Sequence, residues 1–369
     1  MKITRFTSVA VLGAAAALAL TACAANEGGS GDAANGNEDG TALEGTINAS
    51  GASSQVAAQE AWVAGFQTAN SGVTVNYEST GSGTGRENFL AGASNFIGSD
   101  RAYDDEEVAA GGFGACSTDD IVEVPMYISP VAVAFNLEGI DTLNLDAETI
   151  AGIFAGEISN WSDDAIAETN PDADLPDLDI TPVHRADDSG TTETFVTYLQ
   201  ATAPDIWDFE ISGEWPLDSG EAAQQTSGVA QVLGSGVGTI GYLDASQIPD
   251  GSGQVHVGVD GEYVEYSSDA AAALVENSPL VEGRGEGDLV FDIDPASATG
   301  GAYPIALVSY AIACEQYEDE NVAALVKGYF EYMASAEGQD AAAENAGNAP
   351  ISDSLREQVL GAIDTIQVG

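Results

Sequence analysis

Arg185-Ala186-Asp187-Asp188-Ser189-Gly190-Thr191 sits between a strand-like run, Asp179–His184, and a helix-patterned run, Thr192–Ala201. A hydroxyl and a glycine at the opening of a helix leave several backbone N–H groups without partners, at the positive end of the helix dipole. Arg185, just before this turn, adds a guanidinium able to form two parallel bonds to an oxyanion. Gly51-Ala52-Ser53-Ser54 has the same design, following the strand Thr46–Ala49 and preceding the helix Gln55–Phe66. So does Gly81-Ser82-Gly83-Thr84-Gly85, between the strand Val73–Tyr77 and a helix over Arg86–Ala91. Any one such turn is also an ordinary helix cap; three together, with an arginine, point to the binding of a small anion. No Gly-Lys-Ser/Thr follows them, so they are not a P-loop, and the even glycine spacing misses the dinucleotide fingerprint.

Strand, turn and helix alternate along most of the chain, the pattern of an α/β protein. Phe96–Gly98 reads as a third strand that delivers Asp100 at its end. Val122–Tyr127 and Val131–Asn136 are apolar runs separated by Ser129-Pro130, consistent with a strand bending from one lobe into another. Ala147–Phe154 is helical, Gly238–Leu243 a buried strand and Tyr263–Tyr266 a short one. Tyr303–Ala313 reads as the return crossing, followed by helices over Asn321–Ala334, Gly338–Ala346 and Ser352–Ile363. The expected layout is lobe I from residues 45–128 plus 303–369 and lobe II from residues 129–302, with a cleft between them.

Lys2 and Arg5, an apolar stretch Val9–Leu20 too short for a permanent span, and Leu20-Thr21-Ala22-Cys23 form a lipobox-like leader. Residues 1–22 are read as a signal peptide, Cys23 as the lipidated first residue of the mature chain, and residues 23–44 as a polar tether. Cys116 and Cys314 remain; in an exported protein they suggest one disulfide, against the alternative of two buried thiols. The whole chain holds 60 acidic and 8 basic residues, a net charge of −52. That excludes nucleic acid as a partner, since a phosphate backbone needs a basic footprint.

These segments resemble the lipoproteins that capture phosphate for phosphate-specific ABC importers. The likeness runs from about residue 45 to about residue 365. It rests on Gly51–Ser54, Gly81–Gly85, Gly98-Ser99-Asp100, the stretch Ile153–Pro171 with Trp161, Arg185–Thr191, and Gly238–Tyr242. The resemblance implies a type II periplasmic-binding-protein-like fold, two α/β lobes joined by a two-strand hinge and closing around a dehydrated phosphate. It implies ligand contacts from Ser53, Ser54, Ser82 and Asp100 in one lobe and from Arg185, Ser189, Gly190 and Thr191 in the other. Asp187 would hold the Arg185 guanidinium. It further implies a monomer, free of cofactors and metals, that hands phosphate to membrane permease and ATPase subunits and touches the membrane through its lipid alone. Arg86 and Arg101 match no ligand residue and read as surface charges near the cleft. Asp188 departs from the expected pattern: an extra carboxylate beside the site must point away or weaken binding.

A carboxylate in an anion site discriminates by protonation. Asp100 accepts a hydrogen bond from a proton-bearing phosphate, whereas fully ionised sulfate would oppose it with another acceptor, a buried clash. Other tetrahedral oxyanions are therefore the weaker reading. A phosphatase would need a base beside a serine, and His184, on the strand beside Arg185, should face away from it. Asp172, Asp174, Asp177 and Asp179 lack the glycine of a calcium loop.

Overall fold

The computed structural model describes residues 43–369. The leader, Cys23 and most of the tether lie outside them. The chain opens with β1 (Glu44–Gly51), α1 (Val56–Ala69), β2 (Gly72–Ser79), α2 (Ser82–Leu90) and β3 (Phe96–Ser99). β1 runs parallel to both β2 and β3, which places the turns after β1 and β2 at one end of the sheet. α2 starts four residues earlier than the sequence reading expects, so the Ser82–Gly85 run is the helix's first turn rather than a loop. Close packing overrides the poor helix propensity of glycine here. A Cβ at Gly85 would sit 2.6 Å from Gly51 Cα, and one at Gly83 2.4 Å from Asp188 Oδ2.

After α3 (Asp105–Ala110) comes β4 (Ile121–Phe135), buried at every position. Ser129-Pro130 does not interrupt it. Pro130 needs no ladder donor where it lies, because β4 changes partners at that point. The last elements of the chain are reached only after the second lobe is complete. That lobe consists of β5 (Thr142–Leu145), α4 (Ala147–Ala155), α5 (Asp164–Thr169), β6 (Thr181–Arg185), α6 (Gly190–Thr202), β7 (Glu221–Ala223), α7 (Gln225–Ser235), β8 (Thr239–Asp244), β9 (Gly253–Val259), β10 (Glu262–Val264) and α8 (Ser268–Glu276). The return is β11 (Ala306–Cys314), followed by α9 (Glu320–Ala334), α10 (Ala336–Ala346) and α11 (Asp353–Ile363).

One curled sheet results, in the order β2-β1-β3-β11-β4-β8-β6-β7, with β9 beside the end of β4 and β5 and β10 beside β9. Through Ile121–Pro130, β4 pairs antiparallel with β11; from Val131 onward it pairs with β8. The sheet thus passes between two α/β lobes through β4 and β11. A loop adds further connections. Within residues 277–304, Glu123 N–H donates to Gly287 O and Leu289 N–H to Glu123 O, so the tip at 284–289 lies on the first lobe. Residues Pro295–Ser297 pack back against α6 of the second. Cys116 and Cys314 are disulfide-bonded across 198 residues, tying the loop before β4 to the end of β11. Aromatic packing fills both lobes: Phe66, Phe96, Tyr329 and Phe330 in the first, and Phe154, Phe195, Trp207, Trp215 and Tyr242 in the second.

Candidate functional site

Asp100, at the end of β3, is the meeting point. Its Oδ1 accepts hydrogen bonds from Ser54 Oγ (2.6 Å) and Ser309 Oγ (2.5 Å), and its Oδ2 accepts one from Thr191 Oγ1 (2.9 Å). Its own N–H donates to Ser82 Oγ at 3.1 Å. A carboxylate offers about four lone-pair positions; three are taken by hydroxyls here. Burial pushes the Asp100 carboxyl above its ordinary pKa, opposed by those three hydroxyls and by the Arg185 charge. Ser309 carries no turn motif and was not among the sequence candidates. It reaches the site from within β11, where Gln55 Nε2 fixes its hydroxyl at 2.7 Å.

Arg185 ends β6 with its guanidinium gripped by Asp187, Nε donating to Oδ1 at 2.9 Å and Nη2 to Oδ2. Asp187 is held in turn by Gln225 N–H at 2.9 Å. Gln225 adopts φ 61°, a left-handed conformation uncommon for a non-glycine residue. That conformation starts α7 with its N–H turned toward Asp187. Ser189 caps α6 by accepting from Thr192 N–H at 3.3 Å, and Thr191 in the same first turn donates its hydroxyl to Asp100. Gly190 permits the approach: a Cβ there would stand 2.5 Å from Asp100 Cβ and 3.0 Å from Arg101 N.

The structure therefore brings Ser54, Ser82, Asp100, Gly190 and Thr191 together, with Arg185 near enough to act on the Asp100 charge. Ser53 is beside them but meets the second lobe through Thr226, whose Oγ1 lies at 2.9 Å and whose N–H donates at 3.1 Å. Gln247 Nε2 donates to Ser53 O, and Gln225 Nε2 to Ser79 O. The sequence reading missed Thr226, Gln225 and Gln247: the first two open α7 in a polar run, and Gln247 lies in a short turn after β8.

Two expectations about charge need correction. Arg86 is no surface residue: it is buried, stacked over the Tyr103 ring at 3.8 Å and paired with Glu107, and its Nη1 donates to Arg101 O. Arg101, partly buried, bridges the lobes instead, with Nη1 3.1 Å from Glu193 Oε2 and Nη2 3.4 Å from Asp188 Oδ2. Asp188 thus turns its carboxylate to Arg101. His184 stacks on Trp215 with ring centroids 5.1 Å apart, and its Nδ1 lies 2.9 Å from Arg185 O. Among the described residues, no three His, Cys, Asp or Glu side chains are grouped to hold a metal ion.

This architecture defines a class. A family model described as a PBP superfamily domain matches residues 36–337. Phosphate-binding protein PstS 3 of Mycobacterium tuberculosis (strain ATCC 25618 / H37Rv) is 31% identical over 375 residues, spanning 99% of this chain and 100% of that protein. A high-affinity periplasmic phosphate-binding protein solved with phosphate bound superposes with a TM-score of 0.69 at 22% identity, covering 85% of this chain and 92% of its own. A substrate-binding protein from Clostridium perfringens solved with phosphate bound gives 0.58 at 19% identity, covering 82% of this chain and 98% of its own. The chain belongs to the PBP superfamily and, within it, to the family of the PstS proteins.

Proposed function

We propose that this protein is an extracytoplasmic phosphate receptor, anchored by a lipid on Cys23, that closes on inorganic phosphate and delivers it to the permease and ATPase subunits of an ABC importer. Ser53, Ser54, Ser82 and Asp100 hold the ligand from the first lobe, and Arg185, Ser189, Gly190 and Thr191 from the second, with Asp187 steadying Arg185. The hydroxyls of Ser54 and Thr191 are directed at Asp100, so these two residues serve the ligand through their N–H groups. The protein acts as a monomer and needs no cofactor.

The observation that carries this reading is the environment of Asp100. Three of its lone-pair positions are already occupied by hydroxyl donors, leaving one for a protonated ligand oxygen. The Arg185 guanidinium and the start of α6 provide the positive counterpart. A tetrahedral oxyanion carrying one proton satisfies both; sulfate satisfies only the second. Catalysis finds less support, because His184 is engaged with Trp215 and the Arg185 carbonyl rather than with a serine. Titration calorimetry of the unmodified protein with phosphate and then sulfate tests the reading. Phosphate should bind roughly 100-fold or more tightly than sulfate, a difference of about 3 kcal/mol. Equal binding, or none, overturns it.

A further inference from the structure

We propose that Arg101 is an electrostatic latch: closure carries it from the first lobe onto Asp188 and Glu193 of the second, and this contact sets how long phosphate is retained. The proposal rests on the phosphate-receptor reading but assigns a role outside the ligand shell.

Asp188 and Glu193 flank the Ser189–Thr191 cradle, one before it and one in the first turn of α6. Two carboxylates beside an anion site oppose its use. In the closed arrangement both are met by one guanidinium, at 3.4 and 3.1 Å. Arg101 follows Asp100 directly, so the same backbone movement that brings Asp100 to Thr191 brings its cation to these acids. Its carbonyl is fixed by Ser99 Oγ at 2.5 Å and by Arg86 Nη1 at 3.4 Å, which makes this stretch a prepared presenter rather than a loose loop. Arg86 itself is locked by Glu107 and the Tyr103 ring.

The latch is open to water on one side. Arg101 retains 24% of its side-chain exposure and borders a cavity of about 360 Å³ bounded by Glu193, Arg284, Phe291 and Pro295. Salt therefore screens it. Retention should weaken with ionic strength even while capture, opposed by the chain's net charge, accelerates.

Stopped-flow release rates for phosphate test this in the full-length protein and in Arg101→Gln, Arg101→Lys, Glu193→Gln and the Arg101→Gln/Glu193→Gln double variant. Arg101→Gln should release phosphate about five- to tenfold faster, a size in keeping with part-buried ion pairs, with little change in the capture rate. Arg101→Lys should recover part of the loss. The deciding sign concerns Glu193→Gln: it should speed release when Arg101 is present and slow it when Arg101 is absent. The same direction in both backgrounds overturns the latch, because a merely structural arginine would produce no reversal.

A readout without ligand separates this proposal from the receptor reading. Gly83 N–H lies in the first turn of α2 and donates across the cleft to Asp188 O at 3.2 Å. If phosphate fails to bind the unmodified protein, the receptor reading falls and hydrogen exchange at Gly83 decides the latch. Faster exchange in Arg101→Gln sustains it; unchanged exchange ends it.

Discussion

The two lobes bring opposite chemistry to one cleft. The first contributes hydroxyls and a carboxylate: Ser53, Ser54, Ser82, Ser309 and Asp100, with the cation of Arg101 committed to the acids of the other lobe. The second contributes Arg185 and the opening of α6, with acids turned either onto that arginine or toward Arg101. On the proposed reading, attraction resides in one lobe and discrimination in the other. Neither half would then satisfy a singly protonated oxyanion alone, so strong binding would require both.

Removing attraction should cost most. Arg185→Met leaves the part-buried Asp187 with only the Gln225 N–H for a partner and strips the guanidinium from the cleft. Phosphate affinity should fall roughly 1000-fold, the scale of breaking a buried ion pair. Calorimetry reads this directly, and circular dichroism confirms the fold. A loss below about tenfold would mean that charge is not concentrated in the second lobe.

Discrimination comes next. Asp100→Asn should narrow the phosphate-to-sulfate affinity ratio by about 100-fold, chiefly by letting sulfate in, as an amide N–H can face an unprotonated oxygen. Acid should do the same to the unmodified protein. Burial raises the folded-state pKa of Asp100, so its carboxylate is lost at a higher pH than for an exposed aspartate. Below that point a neutral Asp100 can donate, and competition titrations between pH 7 and 4 should show sulfate gaining as pH falls. The sign for stability is opposite in kind. The folded ligand-free protein holds this proton more firmly than the unfolded chain, so acidification through the same window favours folding until the unfolded carboxylate also protonates. A ratio insensitive to both changes would remove Asp100 from its assigned role.

Single hydroxyls should matter less. Ser82→Ala is expected to weaken phosphate binding about tenfold or less, the usual worth of one hydrogen bond. If it matched Arg185→Met, the division between the lobes would dissolve. The smallest effect belongs to the field of the whole chain. With a net charge of −52, phosphate capture rates should rise a few-fold from low to high salt. Stopped-flow rates that fell with salt would show that the local cations dominate the approach.

Much of this was legible in the chain because its anion turns lie where strand periodicity stops. Arg185–Thr191 and Gly51–Ser54 announce themselves by composition, and Asp100 by following a short buried strand. Ser309 was hidden because it lies within an apolar run and carries no turn motif. α7 was missed since its first residues, Gln225–Gly228, are polar and its apolar contacts, Val229 and Leu233, occupy barely one face. β5 and β9 pair with each other parallel, far apart in sequence, and short runs like Thr142–Leu145 gain strand character only from that partner. Arg86 was misplaced because charge alone does not reveal a ring beneath it.

The loop over residues 277–304 is fastened at both sides of the cleft. Arg284 anchors its tip through Glu123, while Pro295 rests on α6. Fully drawn out, the six steps from Leu289 to Pro295 reach at most about 22 Å. The gape of the mouth consequently has a ceiling written in chain length, like a door on a check strap.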